Sequence, residues 1–268
     1  MYSSEEPKKG CYSRKLKEER SHTILFNILN RKDSCALEAD DWSSVMHSCH
    51  CEQQRLVCLR NPESTCQAAT EVLLKTMCFM KSLPSFHHLP GLDQFLLLRS
   101  HWVPLFVLGL AQERITFEVA DFPMTSFLHK ILLHDQNFDS EQEMDDFPPN
   151  LAAVHNLKSC LYKLWRLDLT PKEYAYLKGT ILFNPDVPGL INCRLIEGLQ
   201  REAQRLLHQV IHKLHPNDHS RLTSVLLAAS SLHSVAQNLV TKLFFRRVIG
   251  QTDLLELLTE MLFTTGLF

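Results

Sequence analysis

Apolar residues recur at helical spacing along most of the chain after residue 60 and predict a series of helices. Asn61-Pro62 has the form of a helix cap followed by a first-turn proline, and the helix that it starts is predicted to end before Pro84. The segment from Leu92 to Glu113 is apolar on most sides, which predicts a helix buried in the middle of the domain. Pro104 is expected to bend that helix or to mark a joint in it.

The second half of the chain continues the helical pattern. Leu151 to Leu167 is predicted to be helical, and Thr170-Pro171-Lys172-Glu173 has the form of a capping box that starts the next helix. Two long amphipathic helices are predicted from Ile191 to Leu214 and from Arg221 to Val248. A last helix is expected from Asp253 to Phe263, where the spacing of the leucines makes one face apolar.

One short stretch alternates apolar and polar residues in the manner of a strand. Ile115 to Val119 is the only good strand candidate, and it allows one small β-hairpin at most. A short helix is predicted from Thr125 to His134. Asp135 to Asn150 holds six acidic residues and neither lysine nor arginine, so it is predicted to be a disordered, flexible insert. These elements together predict an all-α fold.

Composition narrows the range of functions. The 268 residues include 28 Lys and Arg against 30 Asp and Glu, and this balance argues against binding DNA through a broad basic face. There is no Gly-x-Ser-x-Gly, His-Glu-x-x-His or phosphate-loop motif, so the sequence predicts neither an enzyme nor a bound cofactor. No secretory signal is visible, and the longest apolar run, Trp102 to Ala111, is too short to cross a membrane. Reduced thiols in the cytosol or nucleus are therefore expected.

Cysteine and histidine crowd the region before and around residue 60. Zinc sites usually contain paired cysteine ligands, and the chain has no Cys-x-x-Cys. Ordinary buried or surface thiols are the favoured interpretation, with a metal site as the alternative. His87-His88 and His208/His212 are interpreted as ordinary helix histidines, because no carboxylate or thiol accompanies them at a telling spacing. The Cys/His cluster comprises Cys35, His47, Cys49, His50, Cys51, Cys58 and Cys66.

Three short apolar patterns have the spacing of a helix that docks into a groove. Branched side chains at i, i+3 and i+4 form one stripe on a two-turn helix, which is the minimal plug for a hydrophobic groove on a partner. For the second pattern, packing into the chain's own core explains the spacing equally well. The patterns are Leu25, Ile28 and Leu29; Leu128, Ile131 and Leu132; and, in the terminal helix, Leu257, Leu258, Met261 and Leu262.

Longer motifs resemble the ligand-binding domains of nuclear receptors. They match the family's central signature, its middle helix and its last two helices, in that order, over residues 61–268. The motifs are Phe95 to Trp102 with Pro104 to Phe106, Glu173 to Gly179 with Leu182 to Asp186, and Leu243 to Phe245 with Val248 to Gly250.

The resemblance implies a fold, a function and partners. The fold is the nuclear-receptor helical sandwich. Because the chain lacks paired zinc knuckles, it resembles the atypical nuclear receptors that have no DNA-binding module. The implied function is that of a transcriptional corepressor of the nucleus and cytoplasm, which binds other nuclear receptors, competes with coactivators and recruits corepressor proteins. Direct contact with DNA or a membrane is not expected.

The resemblance also gives roles to the apolar patterns. Leu25, Ile28 and Leu29 would form one box that docks on partner receptors. Leu128, Ile131 and Leu132 would form the second. Both boxes carry isoleucine where the common coactivator box has leucine, which is expected to weaken or retune binding.

A cofactor groove with a charge clamp is implied as well. Lys81 resembles the clamp lysine and Glu260 resembles the clamp glutamate. A two-turn helix is about 12 Å long, with free N–H groups at one end and free C=O groups at the other. Glutamate and lysine at these ends fix the direction of a docked helix more than its affinity, at about 0.3–1 kcal/mol each. The alternative is that both are ordinary surface charges.

Residues 1–60 are interpreted as a flexible arm and residues 61–268 as the ligand-binding-like domain. The family's first helix is expected within residues 35–60, but that stretch has no helical stripe, so the helix is predicted to be missing or loose. A groove would then stay open against the long helix from Arg221, and the helix of a corepressor would fill it.

The main alternative function is a ligand-regulated nuclear receptor that senses a lipophilic small molecule. A cavity with apolar walls and one or two inward polar groups would distinguish that function. The sequence leaves open whether four large side chains fill such a space, and it does not identify the partner receptors or the oligomeric state. These side chains are Phe79, Met80, Phe106 and Phe117.

Overall fold

Helices form most of the part of the chain that the computed structural model describes, which is residues 55–123 and 149–264. Two short strands, β1 (Arg55–Leu59) and β2 (Val119–Pro123), form one sheet, and the predicted all-α fold class is confirmed. The helices are α1 (Pro62–Ser82), α2 (Pro84–His87), α3 (Gly91–Gln112), α4 (Leu151–Leu167), α5 (Pro171–Leu182), α6 (Cys193–Leu214), α7 (Arg221–Ser231), α8 (Gln237–Val240), α9 (Arg246–Ile249) and α10 (Leu254–Phe263).

Helix α3 lies at the centre of the domain, as its apolar composition predicts. Every residue from His101 to Ala111 is buried. The helix continues through Pro104 without a break, because packing on all sides outweighs the roughly 3 kcal/mol that an interior proline costs. By length and composition α3 would also suit a membrane span, but 78% of its apolar window is buried inside the domain.

Helix α1 packs closely against α3. Its buried side includes Ala69, Val72 and Met77, which follow the predicted helical spacing. The two backbones approach each other at Gly109 of α3, where a Cβ atom would lie 2.7 Å from Cγ1 of Val72. As predicted, Pro62 stands in the first turn of α1, although the Asn61 side chain makes no capping hydrogen bond.

The strand differs in position from the prediction. Strand β2 begins at Val119, and its antiparallel partner is β1, which precedes α1, so the pair is not a hairpin. The predicted strand from Ile115 is instead the crossing from α3 to β2, in which Phe117 turns into the core and the Ile115 N–H donates to the carbonyl oxygen of Leu110. The apolar alternation there reflects burial of Phe117 rather than strand pairing.

The predicted single helix from Arg221 to Val248 is wrong, because it is interrupted at Val235. Helix α7 ends at Ser231, a 3₁₀ turn follows, and Val235 is extended and buried. The chain then forms α8, a π-helical turn and α9. The π turn spans Thr241–Phe245 and buries Leu243, Phe244 and Phe245 together. A regular α-helix spreads three consecutive residues around its axis, so this apolar run favours the wider turn.

Two buried carboxylates fix the surrounding helices. Asp93 of α3 accepts hydrogen bonds from the N–H groups of Ile191 (2.7 Å) and Asn192 (3.0 Å), so α6 begins at Cys193 rather than at the predicted Ile191. The predicted capping box is confirmed at α5, where Thr170 and Glu173 exchange hydrogen bonds.

Glu173 also joins α5 to α7 through a buried ion pair. Its carboxylate is fully buried and accepts hydrogen bonds of 2.9 and 3.2 Å from the guanidinium of Arg221, whose side chain is 11% exposed. Burial acts to raise the pKa of the Glu173 carboxyl, but the hydrogen bonds from Arg221 and Thr170 outweigh burial and place the pKa below its usual value. The ionised pair therefore contributes stability above pH 4.5, which is lost as pH falls through the folded-state pKa.

We expect Arg221→Met to lower the free energy of unfolding by about 3–5 kcal/mol, because it leaves the buried Glu173 carboxylate without its partner. The matched control is Arg205→Met, which removes an exposed ion pair with Glu202 and should cost less than about 1 kcal/mol. Denaturant unfolding at neutral pH measures both variants. Equal losses would contradict a special role for the buried pair.

Candidate functional site

The terminal helix α10 carries a row of buried leucines. Asp253 caps its start, where the carboxylate accepts a hydrogen bond of 2.9 Å from the Leu255 N–H. Leu254, Leu258 and Leu262 follow at intervals of four residues and are buried. This interval places them one above the other on the same side of the helix.

The predicted terminal-helix residues differ in burial. Leu258 and Leu262 belong to the buried row, Met261 packs against the core while partly exposed, and Leu257 is half-buried beside it. Leu254 was not among the predicted site residues. Its signal in the sequence is the spacing Leu254-x-x-Leu257-Leu258, which has the same form as the two boxes nearer the N-terminus.

Helix α10 lies against α1 and α3. At its C-terminal end, the ring of Phe263 stands beside Gly91, the first residue of α3, and lies 3.8 Å from where a Cβ atom of residue 91 would be. The end of α10 is therefore seated near the start of α3. The same end of α10 meets the last turn of α1 through Lys81.

Lys81 closes the C-terminal end of α10. Its Nζ donates hydrogen bonds to the carbonyl oxygens of Met261 (3.1 Å) and Thr264 (3.0 Å). The carbonyl oxygen of Glu260 accepts from the Thr264 N–H at 2.8 Å. The last four carbonyls of a helix lack partners within the helix, and a cation beside them also meets the negative end of the helix dipole. Lys81 thus acts as a cap for α10.

Glu260, the second predicted clamp residue, is exposed on α10. It directly precedes Met261, so Lys81 and Glu260 stand at the same end of one helix. The carbonyls that Lys81 caps belong to α10 rather than to a separate docked helix. The charge clamp stays a prediction for the complex with a cofactor.

A second surface feature is a cavity of about 180 Å³ where α5, α6 and α7 meet. Leu177, Ile181 and Leu226 supply apolar walls, and Gln200 and His233 supply polar groups. Leu226 is 36% exposed, and its neighbour Leu227, which does not line the cavity, is 66% exposed. The outer side of α7 therefore presents apolar surface next to a recess.

His101 lies behind this cavity and is uncharged at neutral pH. Its Nε2 is 3.4 Å from Nδ2 of Asn184, and its ring meets the ring of His233 edge to face, with centroids 5.9 Å apart. Burial lowers the pKa of His101 to about 4. The cavity wall behind Asn184 therefore stays neutral under physiological conditions.

Aromatic side chains fill the core beneath α3. The rings of Phe106 and Phe245 have centroids 5.3 Å apart, and those of Phe117 and Phe244 are 5.2 Å apart. Met80 and Phe106 are fully buried, Phe117 is buried, and Phe79 is partly buried against the core. The sequence left open whether these four side chains fill the space that a lipophilic ligand would need, and all four take part in packing the core.

Several predicted sites lie outside the described residues. These are both receptor boxes, the helix predicted from Thr125 to His134, most of the acidic insert, and the Cys/His cluster apart from Cys58 and Cys66. Burial raises the pKa of both thiols, and Arg247 partly opposes that effect. Within residues 55–123 and 149–264, no group of three or more metal-ligating side chains comes together.

Comparison with known proteins identifies the family. Residues 52–249 match the family described as the ligand-binding domain of nuclear hormone receptor. The chain belongs to the nuclear receptor family. It is 50% identical over 242 residues to nuclear receptor subfamily 0 group B member 2 of Rattus norvegicus, which covers 90% of this chain and 92% of that protein. The human member 2 is 50% identical over 216 residues, covering 80% of this chain and 84% of that protein.

Within this subfamily, the sequence identity is higher to member 2 than to member 1. Member 1 of the same subfamily, from Callithrix jacchus, is 38% identical over 229 residues, covering 80% of this chain and 49% of that protein. The runs Lys172 to Leu190 and Leu128 to Leu133 resemble member 2, the small heterodimer partner, more than member 1, the adrenal hypoplasia receptor, and these identities confirm that order. Among solved structures, the Ultraspiracle ligand-binding domain from Drosophila melanogaster matches with a TM-score of 0.53 and 25% identity, covering 76% of this chain and 81% of that one.

We expect Leu258→Ala to loosen α10, because removing a fully buried leucine side chain costs about 2–5 kcal/mol. Amide hydrogen exchange across residues 254–263 should become at least about 30-fold faster, which corresponds to a loss of about 2 kcal/mol in local opening. The control is Leu257→Ala in the same helix, whose half-buried side chain should cost clearly less. Equal acceleration in the two variants would contradict the buried row.

Proposed function

We propose that this nuclear receptor is a non-enzymatic transcriptional corepressor, which binds other nuclear receptors and limits their output. Its relation to members 1 and 2 of subfamily 0 group B supports this function, as does a charge balance that does not favour DNA. The observation that carries the proposal is the 50% identity to member 2 of that subfamily over 90% of this chain. Helix-in-groove recognition is the chemistry that the proposal assigns to the contact with partner receptors.

The receptor boxes are proposed to supply the contact with partner receptors. Each box presents three branched apolar side chains on one stripe, and burying each is worth about 1.5–3 kcal/mol. Ordering the box on binding offsets much of that gain, so dissociation constants in the micromolar range, about 8 kcal/mol, are expected. By occupying the groove of the partner receptor, the box would exclude a coactivator. The chain would act in the nucleus and in the cytoplasm.

We expect Leu29→Ala and Leu132→Ala each to weaken the capture of receptor domains by about tenfold or more, since each removes one of three docking side chains. The full chain is tested in pull-downs against a panel of receptor ligand-binding domains. Asn27→Ala and Lys130→Ala are matched controls, because they change residues inside the boxes but outside the apolar stripe. If neither leucine variant reduces capture, the two-box mechanism is wrong.

The cavity between α5, α6 and α7 is proposed to receive the helix of a corepressor. This proposal follows from the expectation that the family's first helix is missing or loose, which would leave a groove along α7. The apolar walls at Leu177, Ile181 and Leu226, with Gln200 and His233 as polar lining residues, suit the side chains that an amphipathic helix would insert from one face. Receptor binding and corepressor recruitment would then use separate surfaces.

We expect Leu226→Glu to abolish repression of a receptor-driven reporter while pull-down of the receptor domain is retained, because a carboxylate in the cavity would lose its solvation. Leu227→Glu is the matched control, since Leu227 is exposed and does not line the cavity. Retained repression by Leu226→Glu, or equal loss in both variants, would count against a corepressor site here.

A further inference from the structure

We propose that the exposed face near the end of α6 binds one divalent transition-metal ion, which His208 and His212 hold together. Imidazole nitrogen is a preferred ligand of Ni²⁺, Cu²⁺ and Zn²⁺, and these are the ions that the site would take. Neither histidine lines the cavity between α5, α6 and α7. The inference therefore goes beyond the proposed function and does not depend on it.

The two histidines lie one turn apart on α6. Side chains at i and i+4 of a helix share one face, and their Cβ atoms are about 5–6 Å apart. In the His-Glu-x-x-His motif, two histidines at this spacing bind one zinc ion. This chain has Gln209 where that motif has glutamate. The pair thus has the spacing that binds a metal ion but lacks the adjacent carboxylate that acts as the base in catalysis.

The two imidazole rings are exposed and similarly oriented. The rings of His208 and His212 stack with their planes 4° apart and their centroids 6.3 Å apart. Both residues are exposed, and neither forms a hydrogen bond or an ion pair with any other residue that the structure describes. Two nitrogens bound tetrahedrally to one ion at about 2.0–2.1 Å lie about 3.3 Å apart. The rings can tilt towards each other to reach that separation without breaking a hydrogen bond.

The position of the pair within α6 favours a cation. His212 lies in the last turn of the helix, where the free carbonyl groups form the negative end of the helix dipole. One turn before His208, the charge of Arg205 is compensated by Glu202, with hydrogen bonds of 2.8 and 2.6 Å between guanidinium and carboxylate. Lys213 follows His212 and lies about 100° around the helix from it.

A bound ion would join two successive turns at the end of α6. Opening of this helix end would release the ion, so binding makes opening less frequent. The chain leaves α6 at His215 and reaches α7 through Asp218, whose carboxylate accepts a hydrogen bond of 3.1 Å from the Ser220 N–H. The ion would therefore stabilise the end of α6 that leads into α7.

The test follows amide hydrogen exchange of the full chain across residues 208–215 while Ni²⁺ is added. Ni²⁺ is the probe because thiolates select Zn²⁺ and Cu⁺, and the chain has nine cysteines. Exchange should slow by about tenfold when free Ni²⁺ is at about ten times its dissociation constant, and EDTA should reverse the effect. Unchanged exchange up to about 1 mM Ni²⁺ would overturn the proposal.

Two variants assign the effect to the histidine pair. His208→Gln and His212→Gln each leave a single imidazole, so each should need at least about tenfold more Ni²⁺ for the same slowing. His219→Gln is the matched control, because it removes an exposed histidine that lies beyond the end of α6, and it should stay within about twofold of the natural chain. Thermal unfolding without metal checks that all three variants fold. Slowing that survives the loss of either histidine of the pair, or an equal loss in all three variants, would overturn the proposal.

Discussion

The burial of α3 on every side from His101 to Ala111 is the constraint on which the rest of the structure depends. A helical segment with no polar face needs partners all around it, and its large apolar side chains gain about 1.5–3 kcal/mol each only when those partners are in place. Helices α1, α4, α5 and α10 pack against it. Its N-terminal end is less enclosed, with Gly91 and Leu92 exposed, and it is there that α10 docks.

Side chains from neighbouring elements form hydrogen bonds with free backbone groups at the ends of two helices. Asp93 of α3 accepts the N–H groups just before α6, and Lys81 of α1 donates to the carbonyls at the end of α10. Both contacts pair a charge with the opposite end of a helix dipole. The difference lies in enclosure, because Asp93 is fully buried whereas Lys81 is partly exposed. The Asp93 contact therefore lies inside the core, and the Lys81 contact lies at the surface of the domain.

Local signals in the sequence predicted the helices well. The capping box at Thr170, the burial of α3 and the apolar face of α10 all follow from residues close together in the chain, and so do the family motifs. Contacts between distant segments were not predictable in this way. The pairing of β1 with β2, the buried partner of Glu173 and the interruption at Val235 depend on what the rest of the fold places beside those residues.

In the candidate site, too, individual residues were predictable from the sequence, whereas the contacts between distant residues were not. Spacing identified the leucines of α10, and the family resemblance identified Lys81. Neither revealed that they meet each other, because a lysine can cap any helix end that the fold brings within reach. The receptor boxes are predicted from spacing and from the family resemblance, and they lie outside the described residues.

The central claim is that the chain acts by placing its receptor boxes in the groove of a partner receptor, where a coactivator would otherwise bind. Its most direct measurement is a competition in which the full chain is titrated into a complex of a receptor ligand-binding domain with a labelled Leu-x-x-Leu-Leu coactivator peptide, followed by fluorescence anisotropy. The account predicts that the full chain displaces the peptide at micromolar concentration. A coactivator peptide that stays bound when the receptor domain is saturated with the full chain would contradict the account.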